Sequence, residues 1–208
     1  MPLTDDVPVR RRTSRQAAAT AERREQILDA AVTAFTEAGF NATSMRDVAG
    51  RAGLSHTGLL HHFPDKAALL EAVLDRDLEH AALDATLDPR DGEAFLRGLV
   101  ALAERDAAEP ERVRFYCLVA AEALAPAHPA HGYFRQWFDR VRTTVTTALT
   151  DLDRRGRYTG GPGSIPAAAV HIASMREGLN QHWLLAPDRI DLVAAVRAQL
   201  QRYTDLEL

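Results

Sequence analysis

Between Thr43 and Lys66 the chain crowds together side chains suited to gripping a phosphate-bearing partner: hydroxyls at Thr43, Ser44, Ser55 and Thr57, a guanidinium at Arg46, imidazoles at His56 and His61, and an ammonium at Lys66. Asp65 can cap a helix whose first turn holds Lys66, so free backbone amides and an ammonium meet as an anion site fit for a DNA phosphate. Lys66 is also the sole lysine; every other basic side chain is arginine, so a compact point charge stands at this one position in place of a planar fork. This is the chemistry of holding a polyanion.

Bond-breaking chemistry finds less support. Eight histidines and many carboxylates suggest a helical metal-dependent enzyme, but a di-iron bundle needs paired Glu-x-x-His motifs and none is present. There is likewise no HExxH, no phosphate-binding glycine loop and no Ser or Cys nucleophile motif. His61 and His62 are adjacent, so on a helix they point apart and cannot chelate one ion together. The reading is therefore of a protein that is not an enzyme and takes neither cofactor nor metal.

The elements that must position these groups can be read from caps and spacing. Met45, Val48, Ala49 and Ala52 recur on one helix face, and Ser44 with Asp47 has the capping-box spacing. Gly53 suits a left-handed stop, Leu54 plugs the turn, and Ser55 caps a second short helix of about His56 to Phe63. Leu59 and Phe63, four apart, face the first helix and leave His56, Thr57, Leu60 and His61 outward. Two short helices about a glycine turn make a helix-turn-helix, and Pro64 stops the second. Upstream, a long helix from Thr20 to Ala38, with Ile27, Ala31, Ala34, Phe35 and Ala38 on one face and Gly39 as its stop, supplies the floor.

The stretch from about Arg23 to Val73 resembles the DNA-binding domain of the TetR (tetracycline-repressor-like) family of bacterial transcription regulators. QILDAAVTAFTEAGFNATS, RDVAGRAGLS and HHFPDKAALLEAV stand in the family's order and spacing. The resemblance implies that the helix from His56 is the recognition helix, with Thr43, His61 and Lys66 meeting phosphates and Arg46, His56 and Thr57 near base edges. Ser44, Ser55, Gly58 and Leu60 complete the expected contact set. Leu60 departs from the pattern: the family usually has a backbone-contacting tyrosine there, so Leu60 either touches a thymine methyl or simply packs.

Length and composition agree with this division of labour. A chain of 208 residues with 46% hydrophobic content can bury a substantial core, and 6% aromatics without alternating Val/Ile/Thr runs favour an all-α protein of about nine helices. No apolar run is long enough to span a membrane, no secretory signal follows the N-terminal arginines, and the lone Cys117 suits a reducing cytoplasm. Net charge is −4, yet residues 10–66 hold nine basic against six acidic side chains, while residues 67–208 hold sixteen against twenty-one. The local field at the reading end is positive.

Three regions follow: a basic flexible arm over residues 1–19, bearing Arg10, Arg11, Arg12 and Arg15 and able to lie along phosphates; the helix-turn-helix domain over 20–66; and a larger domain over 67–208. In the last, a helix from Asp65 toward Asp84 leads to a break at Pro89, Asp91 and Gly92. Further helices follow over Glu93–Ala107, from Pro110, from about Ala130 to Gly156, from Pro166 to Leu185, and a final one capped by Asp188. The helix from Pro110 leaves little polar surface and should be central. Arg157–Ile165 reads as a mobile loop.

Phe95, Leu99, Phe115, Tyr116, Val119, Phe134, Trp137, Phe138 and Met175 lie on helices that converge either as plain core or as a pocket; the resemblance implies a pocket for a small-molecule effector. Glu122, on an apolar helix, needs a partner, either a cationic ligand or an arginine, and Asn180, His171 and His182 are lesser polar candidates. Small residues Ala169, Ala173 and Gly178 with Leu179, Trp183, Leu192 and Val196 offer a four-helix homodimer face or ordinary intrachain packing. The resemblance favours dimerisation, and a two-fold dimer reads a palindromic operator in double-stranded DNA. The alternative is an effector-independent architectural DNA-binding dimer.

Overall fold

The computed structural model describes the backbone of residues 8–82, 87–161 and 163–208 and the side chains of residues 18–76, 87–161 and 163–208. Among these residues the chain is all-α, with nine helices: α1 Pro8–Ala42, α2 Met45–Arg51, α3 His56–Leu60, α4 Lys66–Ala82, α5 Gly92–Ala108, α6 Pro110–Glu122, α7 His131–Arg154, α8 Ile165–Leu185 and α9 Leu192–Leu200. The only extended pairing among them is an isolated antiparallel bridge, Tyr158 to Thr204. No helix among the described residues is long and apolar enough to cross a membrane.

The chain divides into two compact units between Leu74 and Asp75, within α4 and beyond the boundary expected after Lys66. The reason lies in burial: Leu69, Leu70, Val73 and Leu74 are each 2% exposed or less, so the first turns of α4 complete the core of the smaller unit. That core also holds Ile27, Ala31 and Phe35 of α1, Val48 of α2, Leu59 of α3, and Phe63. The aromatic rings of Phe35 and Phe40 stand 5.4 Å apart.

α1 begins at Pro8, not at Thr20 as the sequence suggested. The missing amphipathic period suggested an arm without helix, whereas Ala17–Ala19 and the arginines are strong helix formers. Residues 1–7 and the side chains of Arg10, Arg11, Arg12 and Arg15 lie outside the described residues, and so does any contact they make. At the far end Gly39 (φ 80°, ψ 160°) breaks the helical path, a conformation open to glycine and strained for other residues.

In the larger unit α5 packs on α6, α7 and α9, and α8 packs on α6, α7 and α9. Phe95, Leu96, Val145, Leu149, Leu152, Ile172, Leu192 and Leu200 form its core. α6 is less central than its apolar sequence implied: Val113, Phe115 and Val119 are buried, but Leu118 is 39% exposed, because a helix packed on two neighbours still leaves one side outward. The Arg157–Ile165 loop is tied down: the Thr204 hydroxyl donates to Arg157 O at 3.0 Å, Arg157 Nε to Asp205 at 2.6 Å, and the Tyr158 and Ser164 hydroxyls lie 2.7 Å apart. α9 is capped by Asp191, not Asp188, with the Ala194 amide donating to its carboxylate at 2.9 Å.

Two buried carboxylates fix the helices' positions. Asp106 of α5, 2% exposed, takes hydrogen bonds from Arg112 of α6 and, at 2.8 Å, from Arg176 of α8. Asp151 of α7 accepts the Gly92 amide at the start of α5 at 3.0 Å. That approach needs glycine, since a Cβ on Gly92 would lie 2.4 Å from Ala148 O and 2.8 Å from Leu152 Cγ. Gly92→Ala is expected to lower stability by about 2 kcal/mol or more in urea unfolding, because backbone and not a flexible side chain must give way. Asp106→Asn should cost about 2–4 kcal/mol in the same measurement; the loss stays below that of a fully enclosed pair because both arginines reach solvent.

Candidate nucleic-acid interface

The smaller unit's reading end is built from caps. Ser44 and Asp47 form a reciprocal capping box: the Asp47 amide donates to Ser44 Oγ at 3.2 Å, and the Ser44 amide donates to Asp47 Oδ2 at 2.9 Å. The Ser44 hydroxyl donates to the same carboxylate oxygen at 2.6 Å. These bonds from Ser44 hold the Asp47 carboxyl below its ordinary range. Gly53, with φ at +66°, turns the chain out of α2, and the Leu54 amide closes back on Ala49 O at 2.8 Å. Ser55 Oγ accepts the Gly58 amide at 3.0 Å to start α3, and Asp65 accepts the Ala68 amide at 2.8 Å to start α4.

α3 spans only His56–Leu60, shorter than the expected reach to Phe63, although Phe63 still donates to Leu59 O at 3.0 Å and remains buried. Arg24 of α1 lies over the Phe63 ring, 4.5 Å from its centre. Leu59 is fully buried, so His56, Thr57, Leu60 and His61 face solvent, as spacing required, and the N-cap Ser55 is exposed beside them. Arg46 on α2 is exposed as well. It lines an open cleft of about 530 Å³ with Ala34, Ala38, Ala42 and Gly50. Its neighbour Arg51 is bound to Glu37 of α1.

Four expected contacts are corrected. Thr43 is 4% exposed, its hydroxyl directed to Gly39 O at 2.7 Å and Ala34 O at 3.1 Å, so its proton is committed inside the protein and cannot reach a phosphate. Ser44 spends its hydroxyl and its amide on the capping box. Gly58 contributes space in place of a contact: its amide serves Ser55, and a Cβ there would press on Ser55 Oγ at 3.2 Å. Lys66 turns inward, its ammonium donating to Phe40 O at 2.7 Å, Thr43 O at 2.8 Å and Asn41 O at 3.2 Å, with the Phe40 ring centre 4.4 Å away. Sequence spacing placed a charge at a helix start; it could not tell which way a four-carbon side chain folds.

In the larger unit the expected pocket residues separate. Phe95 belongs to the main core, and Phe115, Val119 and Phe134 are buried, whereas Leu99, Tyr116, Trp137, Phe138 and Met175 keep partial exposure. Phe134 stands edge-on to Tyr116, 5.3 Å between ring centres, and 6.1 Å from Phe138. Glu122 is paired with His128 across 3.7 Å, a structural partner supplied by the turn between α6 and α7. Glu177 is the polar group that sequence reading missed. Burial pushes its carboxyl above the ordinary range, and burial together with the Glu177 charge drives the Tyr116 phenol far upward. The Tyr116 hydroxyl is buried without a hydrogen bond of good geometry, and so is Asn180 Oδ1. Burial likewise pushes the Cys117 thiol up to about 11.

The expected dimer residues separate too. Ala169, Trp183, Leu192 and Val196 are spent on the subunit's own core, and Leu179 packs against it, leaving Ala173 and Gly178 partly open. The correction has a simple cause. α9 is short, and every large apolar residue on its inner side is needed to cover α5 and α8.

The family model described as "Bacterial regulatory proteins, tetR family" matches residues 27–73, from the buried face of α1 to the first turns of α4. Over nearly its full length the chain is 29% identical to the HTH-type transcriptional regulator TtgR of Pseudomonas putida, covering 94% of this chain and 95% of that protein. It is 39% identical to the HTH-type transcriptional regulator RutR of Escherichia coli over 32% of each chain. Among solved structures it is similar in fold to SmeT in a complex with triclosan, with TM-score 0.71, 20% identity, and 88% of this chain and 92% of that one covered. A helix-turn-helix with a solvent-facing five-residue α3, matched by that family's model over residues 27–73, identifies the smaller unit as a DNA-binding domain of the tetR type and the chain as a DNA-binding transcriptional regulator.

Proposed function

We propose that the protein is a repressor that binds a palindromic operator as a homodimer and leaves it when a small molecule enters the larger unit. The observation that carries the reading side is the exposed set of Arg46, Ser55, His56, Thr57, Leu60 and His61, held on elements whose own caps are satisfied. Arg46 and His56 are placed to reach base edges, Ser55 and His61 to reach phosphates, and Leu60 to meet a thymine methyl. The homodimer face runs along α8 through the exposed Ala167, Val170, Ser174 and Leu185 with partly open Gly178, a strip at helical spacing whose small residues allow close approach.

Support for an effector comes from both chemistry and likeness. SmeT, described as the repressor of the Stenotrophomonas maltophilia multidrug efflux pump SmeDEF, has been seen with triclosan, a small molecule. In this chain Tyr116, Trp137 and Phe138 offer aromatic faces beside a buried phenol and a desolvated carboxyl, which suits a small, mostly apolar compound with one polar end. α4 runs as one helix from the reading unit past the division of the chain, so a tilt of α4 is the lever. A hundredfold loss of DNA affinity requires the effector to prefer the released state by about 2.7 kcal/mol, an ordinary coupling energy.

Selection of bound sites from random DNA by the purified protein should return an inverted repeat with half-sites about one helical turn or a little more apart; a single unrepeated site would refute the two-fold reader. On that operator Arg46→Ala or His56→Ala should each cost about 1–3 kcal/mol and relax preference at particular base pairs, as measured by titration against single-base variants. Glu177 gives a pH test. Its folded carboxyl holds a proton more tightly than the ordinary value of 4.5, so the folded state binds more protons than the unfolded one above that pH, and its contribution to stability is lost as pH rises toward the raised value. Glu177→Gln should therefore raise the melting temperature at about pH 7.5 and gain progressively less as the pH is lowered to that of an ordinary carboxyl.

A further inference from the structure

Beyond the end of α3 a cation from another helix waits on an aromatic ring. Phe63 is 2% exposed, and the Arg24 guanidinium lies over its ring, 4.5 Å from the centre. Helical spacing brings Arg24 there: it precedes the buried Ile27 and Leu28 by three and four residues, so it stands on the inner side of α1 at the edge of the core. Its side chain is nonetheless exposed. Among the described residues no carboxylate or carbonyl accepts a hydrogen bond from it, whereas Arg51 of α2 is bound to Glu37.

We propose that Arg24 is a DNA-phosphate ligand of the reading unit, held by the Phe63 ring beside the far end of the recognition helix. The negative face of an aromatic ring attracts a guanidinium without occupying its N–H groups in ordinary hydrogen bonds, so the fork stays open to an acceptor from outside. A fork of this kind suits the two free oxygens of a backbone phosphate. Holding the long side chain in place before DNA arrives also removes part of the ordering cost that a free arginine bears on binding. Position points to the same ligand. Ser55 stands at the start of α3 and Phe63 beyond its end, so Arg24 adds a grip at the end that Ser55 does not reach. α3 and its caps contain no arginine or lysine, and α1 supplies the charge that they lack. Phosphate contacts at both ends of a short helix fix its register in the groove.

This role rests on the chain's DNA binding: wild-type protein that binds no duplex would sink that reading, whereas the variants address Arg24 alone. Arg24→Gln, checked for helicity by circular dichroism, should bind the selected operator about fivefold or more weakly at moderate salt. Its slope of log affinity against log salt should flatten by about one for each reader bound. Operators carrying one neutral methylphosphonate at a time should contain a position in each half-site that weakens the wild type and leaves Arg24→Gln unaffected. An unchanged salt slope, or a variant weakened by every methylphosphonate that weakens the wild type, would overturn the proposal and leave Arg24 as a lid on Phe63. Arg24→Lys keeps the charge without the fork, and should hold the wild-type slope while losing about threefold or more in affinity. Full affinity in that variant would overturn the part given to the guanidinium.

Discussion

The backbone's demand for hydrogen-bond partners at the end of α1 governs the reading unit. Gly39 bends the chain, the capping box takes the amides that a continuing helix would have used, and carbonyls are left facing inward. Leaving such groups buried and unpaired costs on the order of 1–3 kcal/mol each, so the junction is held only if something else supplies donors. Lys66 supplies them from a residue more than twenty positions later. The same accounting explains why Thr43 is buried: its hydroxyl and its amide both close on Gly39 O, which ties the kink to the start of α2.

A five-residue helix has no stability of its own, because the cost of nucleating a helix is not recovered over so few residues. α3 is therefore a surface feature of the core beneath it. Leu59 and Phe63 anchor it, Ser55 caps it and Gly53 sets its entry, and none of these side chains is available to read DNA except through the free proton of Ser55. The larger unit solves a similar problem with charge. Asp106 and Asp151 are buried carboxylates, each matched to donors on other elements, so the register of α5 against α6, α7 and α8 is specified by polar bonds within an otherwise apolar core. Tyr116 and Asn180 lack that full matching, the Tyr116 hydroxyl and Asn180 Oδ1 being buried without a hydrogen bond of good geometry, which marks them apart from the structural charges nearby.

What could be read from sequence was whatever is local. Ser44 with Asp47, Gly53, Ser55 and Asp65 act within three or four residues of themselves, and each stands as a cap or turn where spacing placed it. The outward side of α3 followed from Leu59 by periodicity alone. Misreadings arose where two solutions share one pattern. Asp188 and Asp191 both precede the apolar run of α9, and only the fold shows that Ala186–Ile190 forms a turn that delays the helix. Trp183, Leu192 and Val196 are apolar at helical spacing whether they meet a partner subunit or their own core; the burial of each in a single chain decides for the core. Lys66 is the clearest case, since its partners lie more than twenty residues upstream and are backbone atoms, which leave no mark in the sequence.

The charge pattern of the reader then takes on a different meaning. Residues 10–66 carry more basic than acidic side chains, yet with Lys66 folded inward and Arg51 bound to Glu37, neither of these cations is simply extended toward solvent. α3 with its caps Ser55 and His61 presents two hydroxyls, two imidazoles and a leucine, with no arginine or lysine among them. In the proposed role such a helix would discriminate sequences by hydrogen bonds and methyl contacts and add little to nonspecific attraction, which in protein–DNA association scales with the number of phosphates neutralised. Arg46, on the preceding helix and beside an open cleft, is left as the fixed charge nearest in sequence to the reading helix that is not tied within the chain. In the proposed homodimer, binding strength would come from joining two such readers more than from the grip of either, so control over their spacing would be control over occupancy of the DNA.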